Sequence, residues 1–484
     1  MSSRDYKKYQ SGFLTMEVLL AMAVMIFAVS AAVLMCFGGQ FFTADAAQNS
    51  EALDLAQRML WCQRDLALND FRLVNATSTQ EGIFNAKVEV SPHSFFVKKV
   101  NASVDFNIGN RPQKVELETL IADYNNTAGN DTCDSNLTGD WKNPQIKKVI
   151  DFSKFAEVDW DKISDLDAYK GKLYISINDT ATSTDPVFFI LDIIDLENPL
   201  LLQKGGANIK KSNSLTVNDA FIYLAGKSSV NQLQIANNNG LLIASLELGN
   251  INNGDCEKSA TAIFHKNNYI YLGLERDNNC SEFNIIDVGD INNPSLISGF
   301  EIGAKVNDVY IKGDYAYLAT ADSARELIIL NIADPLAPTL VASYDLLPDQ
   351  TNWGYGKSVQ IIGNRIYLGR TYIANSPEFY LLNHGQSSID MLGNYSEDGD
   401  PFSVNDLLVR DDLAFVLAGS ASQGGSLRIL DIFNPTNAVE QKMVGLPGQA
   451  GGIGGVALDC EGNYLYVASI DGAGKSYISI ITAQ

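Results

Sequence analysis

Beyond residue 150 the chain repeats itself about every 48 residues, which restricts it to architectures built by stacking one supersecondary unit. Aligned on one aromatic in a short apolar strand, the copies read LYIS at Tyr174, IYLA at Tyr223, IYLG at Tyr271, AYLA at Tyr317, IYLG at Tyr367, AFVL at Phe415 and LYVA at Tyr466. Each copy holds an inner strand, a turn marked by Gly, Asn or Asp (Gly171, Gly313, Gly363, Gly462) and the aromatic strand. A polar loop, a third strand such as FFILDIIDLENP, a proline corner and a fourth strand follow. Four short strands in each of seven copies predict a seven-bladed β-propeller, which protects its sheet edges by radial repetition.

The seventh copy stops at Gln484 after its third strand. Its missing strand is found at the other end: Asn143-Pro144-Gln145-Ile146-Lys147-Lys148-Val149-Ile150 matches Asn293-Pro294-Ser295-Leu296-Ile297-Ser298-Gly299-Phe300. A strand at 144–152 is therefore expected to close the ring, with the propeller occupying 143–484. The copy VNDVYIKGDYAYLATADSARELIILNIADPLAPTLVASYDL (306–346) resembles the LVIVD-type propeller repeat. That resemblance implies a fold, and no defined activity.

At the other end, Val18 to Gly39 reads VLLAMAVMIFAVSAAVLMCFGG, uncharged and preceded by Arg4, Lys7 and Lys8. At about 1.5 Å per residue such a run is expected to form a transmembrane helix, its N-terminus cytoplasmic and the remainder exported. Just before it, Gly12-Phe13-Leu14-Thr15-Met16-Glu17 resembles the prepilin signal of type IV pilins and type II secretion pseudopilins. The resemblance implies cleavage between Gly12 and Phe13 by a prepilin peptidase and methylation of the new terminus. It also implies a role for Glu17 in filament assembly. A carboxylate at membrane depth costs roughly 2.5–3.5 kcal/mol, and the freed amine of a neighbouring subunit would offset that cost.

The helix is expected to continue through 44–73, which lacks proline and glycine, with Leu53, Ala56, Leu60 and Ala67 on one face. Residues 82–122 then alternate as strands (IFNAKVEV, FFVKKVNASVDFNI, KVELETLIA), similar to a pilin head. The predicted fold class is thus mainly β: a long N-terminal transmembrane helix with a small pilin-like antiparallel sheet, then the propeller. Its divisions are a leader at 1–12, the helix at 13–73, a β head at 74–128, a linker at 129–142 and the propeller.

A formal charge of −22 repels a phosphate backbone, so nucleic acid is not an expected partner. The six cysteines lack the close pairs of a zinc site, and the three histidines are isolated. If the inner strand runs from face one to face two, Cys256 and Cys280 share face one, while Cys133 and Cys460 share face two. These are the candidate disulfides, with Cys62 a competitor for Cys133 and Cys36 left over. No phosphate loop, nucleophile elbow or paired catalytic carboxylates stand out, so no catalytic residues and no cofactor are expected. The acidic stretch SEDGDPFSVND (396–406) suggests Ca2+, but its spacing does not match an EF-hand.

Asp165, Ser214, Asp308, Ser358 and Asp406 occupy one equivalent inner-strand position and predict a polar ring around the channel. Such a ring either holds a cation or, the preferred reading, satisfies strand-end amides. Asp192, Asp287, Asn331, Asn383 and Asp431 recur in the third strand as turn residues. Trp353, Tyr355, Tyr372 and Phe402 fall on face-one loops and are the candidate ligand contacts, the alternative being lids over the blades.

The function these features predict is a minor or tip subunit of a type IV pilus-like filament, displaying a propeller for surface binding or adhesion. Its expected partners are other pilin subunits, prepilin peptidase, inner-membrane lipid before assembly and an extracellular ligand. The expected location is a single-pass membrane protein, later extracellular in a pilus or in a periplasmic pseudopilus. Two alternatives are a hydrolase or lyase propeller on a pseudopilin anchor, and a type II secretion pseudopilus tip.

Overall fold

The structure, a computed structural model, describes residues 11–484 except 70, 95–96, 123–136, 138, 157–161, 180–185, 206–207, 228–230, 249–255, 257, 277–279, 347–354, 386–387, 398–401, 420–424 and 448–453. Two compact units make up the chain, Met1–Tyr124 and Asn125–Gln484.

In the first unit a helix, α1 (Ser11–Asn69), precedes a four-stranded antiparallel sheet in sequential order: β1 (Thr77–Glu81), β2 (Phe84–Ser94), β3 (Val97–Ile108) and β4 (Arg111–Ala122). Ala52, Leu55, Ala56 and Ala67 lie at helical spacing and are buried against Ala86, Val88, Val100, Ala102 and Val104. The small alanines allow the helix close to the sheet, and Phe84 and Phe106 meet edge to face at 5.2 Å. Leu53, placed on this face by the sequence pattern, is exposed instead, because Ala52 and Ala56 set the contact stripe one position earlier.

Among the described residues no helix is long and apolar enough to cross a membrane. This corrects the transmembrane part of the predicted fold class, and with it the single-pass membrane localisation.

The second unit contains seven four-stranded antiparallel sheets. Blades one to seven span 162–204, 212–246, 260–300, 306–344, 356–395, 403–445 and 454–482. Their innermost strands lie side by side in order, and that of blade seven lies beside that of blade one, so the sheets form a closed ring. Blade seven supplies three strands. Its fourth is β5 (Gln145–Asp151), which pairs antiparallel with the last strand of the chain, Ile150 opposite Ile478 and Lys148 opposite Ile480.

The aromatic that marks each repeat is buried: Tyr174, Tyr223, Tyr271, Tyr317, Tyr367, Phe415 and Tyr466 all lie within the blade packing. Ahead of β5, Leu137 and Trp141 already belong to this core, the indole lying 4.8 Å from the Phe415 ring.

Four of the five third-strand Asx residues, all but Asn383, turn the chain as the pattern suggested. The side-chain oxygens of Asp192, Asp287, Asn331 and Asp431 accept the amides two residues on, at Ile194, Gly289, Ala333 and Phe433, over 2.7–3.0 Å. A second Asx turn follows three residues later, at Asp195, Asp290, Asp334 and Asn434. Asp140 makes the same contact with the Lys142 amide ahead of β5. The closing strand therefore carries the corner of the blade it completes.

The axial channel as the candidate site

Every inner strand carries a bulge at the same place, between Ile163 and Asp165 in blade one and at 212/214, 260/262, 306/308, 356/358, 404/406 and 455/457 in the others. A bulge re-aims the side chains on either side of it. Here it organises three tiers of polar contact around the axis.

The bulged residue itself reaches sideways to the next blade. Ser164 donates to the Ser212 carbonyl at 2.7 Å, Asn213 to Ala260 at 2.7 Å, Asn307 to Gly356 at 2.6 Å and Asn405 to Gly455 at 2.7 Å. Thr261 makes the equivalent contact with Val306.

Next along the strand stand the predicted ring residues, and the fold brings all five together around a cavity of about 230 Å3. Asp165 accepts from the Ser214 hydroxyl at 2.7 Å and from the Leu215 amide at 2.9 Å. Asp308 accepts the Val359 amide at 2.8 Å and Asp406 the Leu458 amide at 2.8 Å, and the single hydroxyl proton of Ser358 is shared between the two carboxyls, at 3.1 Å from Asp308 and 3.2 Å from Asp406. The remaining oxygen of Asp165 and of Asp308 accepts the amide of its own following residue, and the oxygen of Asp406 that takes Ser358 also takes the Leu407 amide.

Burial pushes the Asp165 carboxyl up to about 6 and raises Asp308. Asp406 is raised well above the carboxylate range, first by burial and then by the charges of Asp308 and Asp165. All six oxygens accept hydrogen bonds, three of them from amides of the neighbouring blade. The geometry therefore performs inter-blade stapling.

A third tier repeats the device two residues on. Asp167 accepts the Val217 amide at 2.9 Å, Gln360 the Val409 amide at 2.5 Å and Asp459 the Ala168 amide at 2.6 Å.

The face-one loops that carry Tyr355, Tyr372 and Phe402 are hydrogen-bonded side by side, but the exposure of the three rings differs. Tyr372 is 44% exposed and its amide donates to the Ser403 hydroxyl. Tyr355 is half-buried, its amide bonded to the Thr371 hydroxyl at 3.0 Å, and Trp353 lies outside the described residues. Phe402 is buried at 2%, within the apolar cluster that includes Tyr367, Phe379 and Val404, and the Arg428 guanidinium sits 4.5 Å over its ring. It packs the blade and offers no surface.

Cys256 and Cys280 are joined by a disulfide across blade three. Cys460 is also disulfide-bonded, while Cys133 and the side chain of Cys36 lie outside the described residues and Cys62 is free and exposed. Gly12, Phe13 and Glu17 fall in the α1 backbone, and their side chains lie outside the described residues.

One set of functional-type residues escaped the sequence reading. Gln232, Glu282, Glu326 and Glu378 directly precede the third strand in four successive blades and are all buried. The first three hold the chain leaving the fourth strand, through the amides of Leu248, Ile302 and Leu346 at 2.9–3.1 Å. Glu326 pairs with buried Arg370 at 3.4 Å, and burial pushes Glu326 and Glu378 up to about 7. Their signal was legible in NQLQI, SEFNI, RELII and PEFYL.

Compared with known proteins, residues 303–346 and 403–444, in blades four and six, match the LVIVD repeat family. The chain thus carries LVIVD repeats within a β-propeller. No curated protein matches it. Among solved structures it is similar to the periplasmic gluconolactonase PpgL of Pseudomonas aeruginosa, at 9% identity and a TM-score of 0.45, covering 58% of this chain and 85% of that one.

Proposed function

We propose that this chain is a filament subunit that displays a β-propeller for surface binding, as a minor or tip component. The observation that supports the reading most is the exposure along α1. Leu20, Met22, Val24, Met25, Ile26, Phe27, Val29 and Val33 are 45–77% exposed, whereas the later part of the same helix buries its apolar stripe on the sheet.

Positions 24 to 27 fall on all sides of a helix, so one contact strip cannot cover them. A helix apolar all round belongs inside an assembly of helices, and copies of α1 supply that surrounding. In such an assembly Glu17 would meet the amine freed at Phe13 by cleavage after Gly12. The propeller, stapled shut around its axis, then serves as a rigid platform for its surface loops.

Electron microscopy and light scattering of the full chain test this. Filaments or defined oligomers are expected, with Val24→Asp and Phe27→Asp abolishing them while the propeller still melts cooperatively. A monodisperse monomer at high concentration, unchanged by these substitutions, would overturn the reading.

A further inference from the structure

Where blades two and three meet, the turns at 218–220, 267–268 and 288–291 border a groove of about 700 Å3. It shares no lining residue with the axial cavity, its lining does not include Tyr355 or Tyr372, and its size is within the roughly 300–1,000 Å3 of small-molecule sites.

One wall is aromatic. Phe221 and Tyr169 are half-buried, and His265 stacks on Tyr223 with centroids 4.8 Å apart and planes 11° from parallel. These rings sit on strands or at strand ends and are fixed before any ligand arrives.

The rim is polar and partly uncommitted. The Asn218 side-chain oxygen is consumed by the amides of Ala220 and Phe221, and its nitrogen makes a long 3.3 Å contact with the Tyr223 hydroxyl. Asp219 spends Oδ1 on the Tyr169 hydroxyl and on Lys170, while its Oδ2 has no partner among the described residues. The exposed side-chain amides of Asn267 and Asn268 bond nothing among the described residues either.

An aromatic wall beside planar amide and carboxylate groups matches a ring with an apolar C–H face and a girdle of hydroxyls. Asp219 and Asp290 line the groove, in a chain of net charge −22, so an anionic sugar is repelled. We infer that the groove between blades two and three binds neutral hexopyranose units of a glycan. This inference does not depend on filament assembly, and its failure leaves that reading standing.

The test is saturation-transfer NMR and titration of the full chain with the methyl glycosides of glucose, galactose and mannose, with methyl glucuronoside as the charged counterpart. At least one neutral glycoside is expected to receive saturation at its ring C–H protons and to bind tenfold or more tightly than the glucuronoside. Asn268→Ala with Asp219→Ala should weaken it at least tenfold, and Ala220→Trp, at an exposed turn position, should block it; all are read at unchanged melting temperature. Absence of transfer to every neutral probe, equal binding of the glucuronoside, or binding that survives both the double substitution and Ala220→Trp would overturn the inference.

Discussion

Asp459 in the last blade accepts the amide proton of Ala168 in the first at 2.6 Å, across 291 positions of chain. Glu461, two residues on, accepts the Gly171 amide with both oxygens, at 2.9 and 3.0 Å. The other stapled junctions join blades adjacent in sequence. This seam is the one where the two ends of the propeller must meet, so its side chains act together with the pairing of β5.

Removing the Asp459 carboxylate leaves a buried amide without its charged acceptor. Asp459→Ala is expected to destabilise the propeller by about 1–3 kcal/mol. Urea unfolding would report it, and an unchanged midpoint would mean the seam rests on β5 alone.

Deleting 145–151 strips the outer strand from blade seven and exposes the edge formed by 476–482. An open edge weakens the ring and invites pairing with other chains. A lower, broader melting transition with concentration-dependent association is expected. A transition as sharp and as high as that of the intact chain would refute strand closure as a source of stability.

Stability should fall as pH rises. Asp165, held up at about 6, has a folded value above its unfolded one of about 4, so its contribution is full below about pH 4 and lost as pH rises through about 6. For this group the difference is on the order of 2–3 kcal/mol. Glu326 and Glu378, up at about 7, extend the loss toward neutral pH. Melting at pH 5 should therefore exceed melting at pH 8, and Glu378→Gln should flatten the upper part of the profile. A higher melting temperature at pH 8 would contradict the burial of these acids.

The Cys256–Cys280 bridge closes a separation of 24 residues. By the chain-entropy relation its loss costs about 3 kcal/mol. The double substitution to alanine is expected to lower the denaturation midpoint while preserving the far-ultraviolet spectrum. A midpoint unchanged within error would place the bridge's effect outside stability.

The seven repeats, the four strands in each and the return of residues 144–152 to the last blade could be read from sequence because each rests on local chemistry. A buried aromatic, an Asx turn and a proline corner recur at fixed spacing whatever surrounds them. The ring of Asp165, Ser214, Asp308, Ser358 and Asp406 was also visible, since equivalent positions in a closed repeat must converge on one axis. That they satisfy strand-end amides was the preferred reading from sequence; which amides they take was not legible. Only the tertiary structure shows each of them accepting the amides of the blade beside it, because bulges set the side-chain direction and a bulge leaves no residue signature of its own. Phe402 is buried for a related reason: it packs against Tyr367 and Phe379 of the preceding blade and under Arg428, contacts no local pattern announces. The apolar run near the N-terminus suggested a span by composition alone, whereas no helix among the described residues is long and apolar enough to cross a membrane. Local propensity fixes elements and their period; what each side chain meets is set by contacts between segments distant in sequence, and those exist only once the ring has closed.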